Sequence, residues 1–152
     1  LTTRRQRQMC IRDRFNTTKI FIMSLFIDHV VITVTDLNKT IEFYTKVLGM
    51  HLHEFLSATD NIQRKSLKFG NQKINLHEVS KPFKPHAKSP KPGSMDMCLL
   101  SKEKIEDWII KFNNLHIKIE EGPVQKTGAN GPIKSIYIRD PDQNLIEISN
   151  QI

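Results

Sequence analysis

Apolar and polar positions alternate over residues 27–35. His29, Val31 and Thr33 fall on one parity and Val30, Ile32 and Val34 on the other, the pattern of a strand with unlike faces. Asp36 follows as a helix N-cap, and Leu37, Ile41, Tyr44 and Leu48 recur at helical spacing up to Gly49, the expected stop. Residues 50–57, 65–70 and 73–79 read as three strands, the last two joined by a tight turn at Gly70-Asn71. Pro82, Pro85, Pro90, Pro92 and Gly93 then impose an extended connector that no central strand tolerates.

The same order begins again after the connector. Residues 94–100 form a strand, Ser101 is the candidate N-cap, and Ile105, Trp108, Ile109 and Phe112 carry helical spacing. Strands are expected over 117–120, 133–139 and 145–149, with a glycine-rich loop over 127–132 and turn chemistry in Asp140-Pro141-Asp142-Gln143-Asn144. The pattern is α+β, with two weakly similar βαβββ halves (26–80 and 94–150) around a proline-rich connector (81–93) within one domain, 23–152. A single α+β sandwich without a repeat is the alternative.

Charge changes the picture only at the N-terminus. Residues 1–22 hold six basic side chains and one acid, while the other 130 residues hold 17 basic and 15 acidic ones, so the overall +7 belongs mostly to the opening segment. The core is close to neutral, which argues against nucleic acid as a partner. The expectation is that residues 1–22 are a non-native or disordered extension with Met23 as the start; as a genuine segment they would suit a mitochondrial transit peptide. The apolar run 20–27 is too short to cross a bilayer, so no membrane partner is expected. Cys10 and Cys98 offer no disulfide framework within the core, which fits a reducing, cytoplasmic setting.

Polar groups within apolar strands are the candidates for chemistry. Glu147, flanked by Leu145, Ile146 and Ile148, needs a partner, a metal or water if it is buried, and Asp96 between Met95 and Met97 stands in the same position. Asn75 and His77 share one strand face. His29, a lone histidine in an apolar strand, reads first as a satisfied core residue and second as a ligand. Imidazole with carboxylates suits Zn²⁺, Mn²⁺, Ni²⁺ or Fe²⁺. His51, His53, His86 and His116 are read as surface residues without a main role, and Cys98 as a small core residue. The loop 127–132 has backbone N–H groups to offer an anionic substrate, with Thr127 and Gly128 as its pocket candidates; an ordinary surface loop is the other reading.

Several longer stretches resemble one family. They are His29 through Leu37, Phe43-Tyr44, Val47-Leu48-Gly49-Met50 and Arg139 through Glu147, supported by Asn75 through Val79, Pro92 through Asp96 and Glu121 through Val124. Together they make the chain similar to the vicinal oxygen chelate (glyoxalase/bleomycin resistance/dioxygenase) superfamily, in particular to its glyoxalase domain-containing proteins, over about residues 26–150. The resemblance implies paired βαβββ modules curled around a divalent metal, with ligands on the first and last strand of each module. Position by position these fall on His29 and Glu147, which match, and on Asp96 and Asn75, which depart from the family's histidine and glutamate. The resemblance thus implies a three-ligand site of His29, Asp96 and Glu147 with open positions for a bidentate small-molecule substrate, and a homodimer. The implied function is that of a metal-dependent glyoxalase-like lyase, isomerase or thiol transferase, in which the metal stabilises an enediolate or alkoxide and Glu147 moves the proton. Asn75 in place of a carboxylate points away from lactoylglutathione lyase activity itself. The alternatives are a non-catalytic small-molecule binding module on the same fold, or a structural role in which Glu147 is paired internally.

Overall fold

The computed structural model describes residues 25–152; the opening segment 1–22 lies outside them. Two four-stranded sheets repeat one connectivity. The first contains β1 (His29–Val34), β2 (His51–Leu56), β3 (Gln63–Phe69) and β4 (Gln72–Glu78) in the order β1-β4-β3-β2. The second contains β5 (Asp96–Leu100), β6 (Glu121–Gly128), β7 (Gly131–Arg139) and β8 (Leu145–Gln151) in the order β5-β8-β7-β6. In each, the first strand runs parallel to the last and the other pairings are antiparallel. The expected pair of βαβββ modules is present.

Helix α1 (Leu37–Glu42) starts where the Asp36 carboxylate accepts from the N–H groups of Asn38 and Lys39 at 2.9 and 3.1 Å. It continues as a π-helical turn, Phe43–Val47, rather than as the α-helix expected to residue 48, and Phe43, Tyr44 and Val47 are all buried in it. Helix α2 (Ile105–Asn114) differs more from expectation. Ser101 lies outside it; the first N–H, of Ile105, is capped across the fold by Asn150 Oδ1 at 2.8 Å. The Ser101 hydroxyl instead accepts from Trp108 Nε1 at 2.8 Å, fixing the indole in the core.

Two further strand expectations are corrected. Residues 117–120 are not a strand; β6 begins at Glu121, and its pairing with β7 shifts between Glu121 and Val124. Thr127 and Gly128 end that strand, and only Ala129 and Asn130 lie between it and β7, so the glycine-rich stretch is a tight hairpin.

One face of each sheet packs into a single core that includes Val34, Tyr44, Leu67 and Ile74 from the first module and Phe112, Ile136, Ile138 and Ile146 from the second. A hydrogen-bonded network crosses this junction. The Asp140 carboxylate, 2% exposed, accepts from Tyr44 Oη (3.0 Å), Asn144 Nδ2 (2.7 Å), Asn144 N (2.8 Å) and Asp142 N (2.9 Å). The Asp142 carboxylate accepts from Thr35 N, immediately after β1. Gly93, with φ +71°, passes so close to this turn that a Cβ would lie 2.5 Å from the Asp142 carbonyl oxygen. No helix of the described residues is long and apolar enough to cross a membrane.

Candidate functional site

The faces turned away from the core carry the polar groups. On the second sheet the register sets Cys98 beside Glu147 and Glu147 beside Tyr137. Glu147 is half-buried between them, and Ser149 Oγ donates to its Oε1 at 3.2 Å. Because that hydroxyl gives its one proton to the carboxylate, it receives from Ser135 Oγ at 2.8 Å and from the Cys98 thiol at 3.4 Å. Tyr137 is pushed up to about 12, first by burial and then by the hydrogen bond and charge of Glu147, so it stays a donor at neutral pH. Burial also pushes the Cys98 thiol up; Ser149 opposes the shift, and the Glu147 charge adds to it. A cavity of about 560 Å³ opens here, lined among others by Glu147, Tyr137, Lys126, Thr127 and Gly128. Lys126 stands over the Tyr137 ring, 5.4 Å from its centroid, and pairs with Glu121 at 3.0 Å.

This geometry corrects the reading of Cys98 as a core residue. It is exposed on the open face, because the inward parity of β5 belongs to Met97 and Leu99. Asp96 shares that parity and is likewise exposed, so no burial cost demands a partner for it.

The remaining expected site residues lie elsewhere. Asp96 and His77 line a second cavity of about 400 Å³ with Val31, Thr33 and the connector residues His86 and Lys91. Asn75 is half-buried opposite Val31 and Ser66, and its Oδ1 is sealed from solvent without a hydrogen-bond partner. His29 is exposed at the start of β1 and pairs through Nδ1 with Asp28 at 2.6 Å. Glu147, Thr127 and Gly128 therefore share one cavity, while Asp96 lies on the same sheet face as Glu147, two residues along β5 from Cys98, and lines the other cavity. Among the described residues of one chain no three His, Cys, Asp or Glu side chains converge on a point that could hold a metal ion. The donor types suit a divalent ion; their placement within a single chain does not fit one.

His77 is buried beneath the connector, its ring perpendicular to that of Phe83 at 5.3 Å, and the Arg64 guanidinium stands over the Phe83 ring, 4.6 Å from its centroid. Burial, followed by the charges of Arg64 and His86, holds its imidazole below the ordinary value of about 6.5. The unfolded chain therefore takes up this proton first as pH falls. The resulting stability is complete above the unfolded value and is lost as pH drops through the folded one. Replacing His77 with Gln is expected to flatten the fall of stability below pH about 6.5, as read by urea midpoints at a series of pH values.

Parity alone puts Ser149 on the strand face of Glu147, whereas nothing local in the sequence marks Tyr137 and Ser135 as neighbours of that carboxylate. Their alternation with Ile136, Ile138 and Ile148 marks the face they occupy, but the register across β7 and β8 is what sets Tyr137 beside Glu147.

Comparison with known proteins places this geometry among relatives. The family model described as Glyoxalase/Bleomycin resistance protein/Dioxygenase superfamily matches residues 26–148. The chain is 50% identical over 126 residues to virulence protein STM3117 of Salmonella typhimurium, covering 83% of this chain and 84% of that protein. The crystal structure of that protein superimposes with a TM-score of 0.78 at 48% identity, over 84% of this chain and 98% of the other. Glyoxalase domain-containing protein RDO1 of Mycosarcoma maydis is 46% identical over 147 residues, which is 97% of this chain and 73% of that one. An integron cassette protein from the mobile metagenome of V. cholerae matches with a TM-score of 0.79 at 43% identity, covering 87% of this chain and all (100%) of that one.

Proposed function

Because the chain belongs to the glyoxalase/bleomycin resistance protein/dioxygenase superfamily, we propose that it is a glyoxalase-like enzyme acting on a small substrate with adjacent oxygens, in which Glu147 carries the proton. The observation behind this reading is the Glu147 carboxylate set in a cavity wall with one oxygen held by Ser149 and Tyr137 facing it. A carboxylate so held is oriented for transfer. It takes a proton from the carbon beside a carbonyl, the C–H electron pair passes into the enediolate, and the proton returns to the neighbouring carbon. For thiol addition the same group accepts the thiol proton as the C–S bond forms and delivers it to the alkoxide. Tyr137 and Ser149 keep the carboxylate aligned throughout, and Thr127 and Gly128 bound the space for the substrate.

A divalent ion such as Zn²⁺, Mn²⁺, Ni²⁺ or Fe²⁺ would polarise the adjacent oxygens. The described residues of one chain do not assemble a centre for it, so a site using His29, Asp96 and Glu147 belongs to a homodimer in this proposal. The exposed apolar residues Val31 (48%) and Leu100 (62%), on the same strands as His29 and Asp96, support that assembly. A cytoplasmic location agrees with the free Cys98 thiol. The separation of the ligand candidates favours a second reading, a non-catalytic binding module on the same fold.

Metal content and light scattering on the same chromatographic fractions distinguish the two. Dimers carrying near-stoichiometric divalent metal, lost in both His29→Ala and Glu147→Gln, are expected for the enzyme. Absence of metal after reconstitution with each of the four ions, with a bound small molecule retained after chelation, would establish the binding module instead.

A further inference from the structure

The open face of the first sheet differs in charge from that of the second. Register aligns His29, Lys73, Lys68 and His51 in one row across β1, β4, β3 and β2. Lys73 and Lys68 are direct cross-strand neighbours, an arrangement in which like charges oppose one another and weaken the pairing. The acids of these strands, Glu54 and Glu78, fall on the opposite parity. Among the described residues neither lysine has a carboxylate within salt-bridge distance; the nearby Asp28 is held by His29. Lys73 Nζ instead stands over the Phe55 ring at 4.7 Å, which keeps it above the sheet, and Lys68 is exposed. The corresponding cation of the second sheet, Arg139, is neutralised by Glu120 at 2.6 Å.

We propose that the row His29–Lys73–Lys68–His51 is a binding site for a small oxyanion, a phosphate or a carboxylate group. An oxyanion over this row offsets the like charges of the two strands and accepts hydrogen bonds from the ammonium groups; His51 adds an N–H donor, whereas His29 is already engaged through Nδ1 with Asp28. The row shares His29 with the proposed metal site, but its two lysines are independent of that reading and hold whether or not Glu147 transfers protons.

Thermal unfolding of the full chain tests it, with inorganic phosphate and succinate as probes and sodium chloride at matched ionic strength as the control for screening. A saturable rise in melting temperature with phosphate, succinate or both is expected, identifying the oxyanion class, and beyond any rise with chloride. In the Lys68→Gln/Lys73→Gln variant the apparent affinity should fall by about tenfold or more, while Lys118→Gln, away from this face, should leave it unchanged. Amide shifts on phosphate addition should centre on residues 68–73. No saturation, an effect equal to that of chloride, or equal affinity in the double variant would overturn the proposal.

Discussion

Replacing Glu147 with Gln should lower turnover of an adjacent-oxygen substrate by about 10²- to 10⁴-fold, the range attached to a positioned acid–base group. Glutamine is nearly isosteric and still accepts the hydrogen bond from Ser149, so the fold and the cavity wall should survive. The loss should therefore fall on kcat rather than KM. A panel of dicarbonyl and hydroxycarbonyl compounds supplies the assay, and exchange of solvent deuterium into the ligand carbon reads the proton step directly. Tyr137→Phe provides a graded companion. It removes the phenol hydroxyl that stands beside the carboxylate and leaves Glu147 itself in place, so kcat should fall by less than in Glu147→Gln. Were Glu147 only an internal structural partner, Glu147→Gln would lower the melting temperature and leave any activity intact.

The largest effect on stability should come from Asp140→Ala. Four hydrogen bonds converge on this buried carboxylate, and truncation strands the Tyr44 hydroxyl and the Asn144 side-chain amide where water does not reach. A destabilisation on the order of 4 kcal/mol is expected, against about 1–3 kcal/mol for Tyr44→Phe, which removes one donor and leaves three. For a domain of this size the larger figure corresponds to a fall in melting temperature on the order of 15 °C. The double variant should be less destabilised than the sum of the two, since both remove the same contact. Urea unfolding of the four proteins measures that coupling, and strict additivity would show that the Tyr44–Asp140 bond does not link the modules energetically.

The same network shows where sequence reading loses its hold. Asp140 through Asn144 is plain turn chemistry along the chain, and nothing local shows that its first carboxylate meets Tyr44, ninety-six residues away. Ser101 has the chemistry of a helix cap, yet Asn150 caps α2 because β8 delivers its amide to the helix start. Cys98 lies among Met97, Leu99 and Leu100, which suggested a core position; parity alone would have placed it on the outward face.

By itself the sequence determined the repeated βαβββ order, the Asp36 cap, the connector and the sheet face on which Glu147 lies, because these follow from periodicity and from backbone preferences acting over a few residues. The tertiary structure decided that Tyr137 stands beside Glu147, that Lys68 opposes Lys73, and that His29, Asp96 and Glu147 do not converge on one point within the described residues of one chain. The physical reason is that a strand's alternation fixes which way a side chain points, whereas its neighbours are set by inter-strand hydrogen bonding and by the packing of one module on the other.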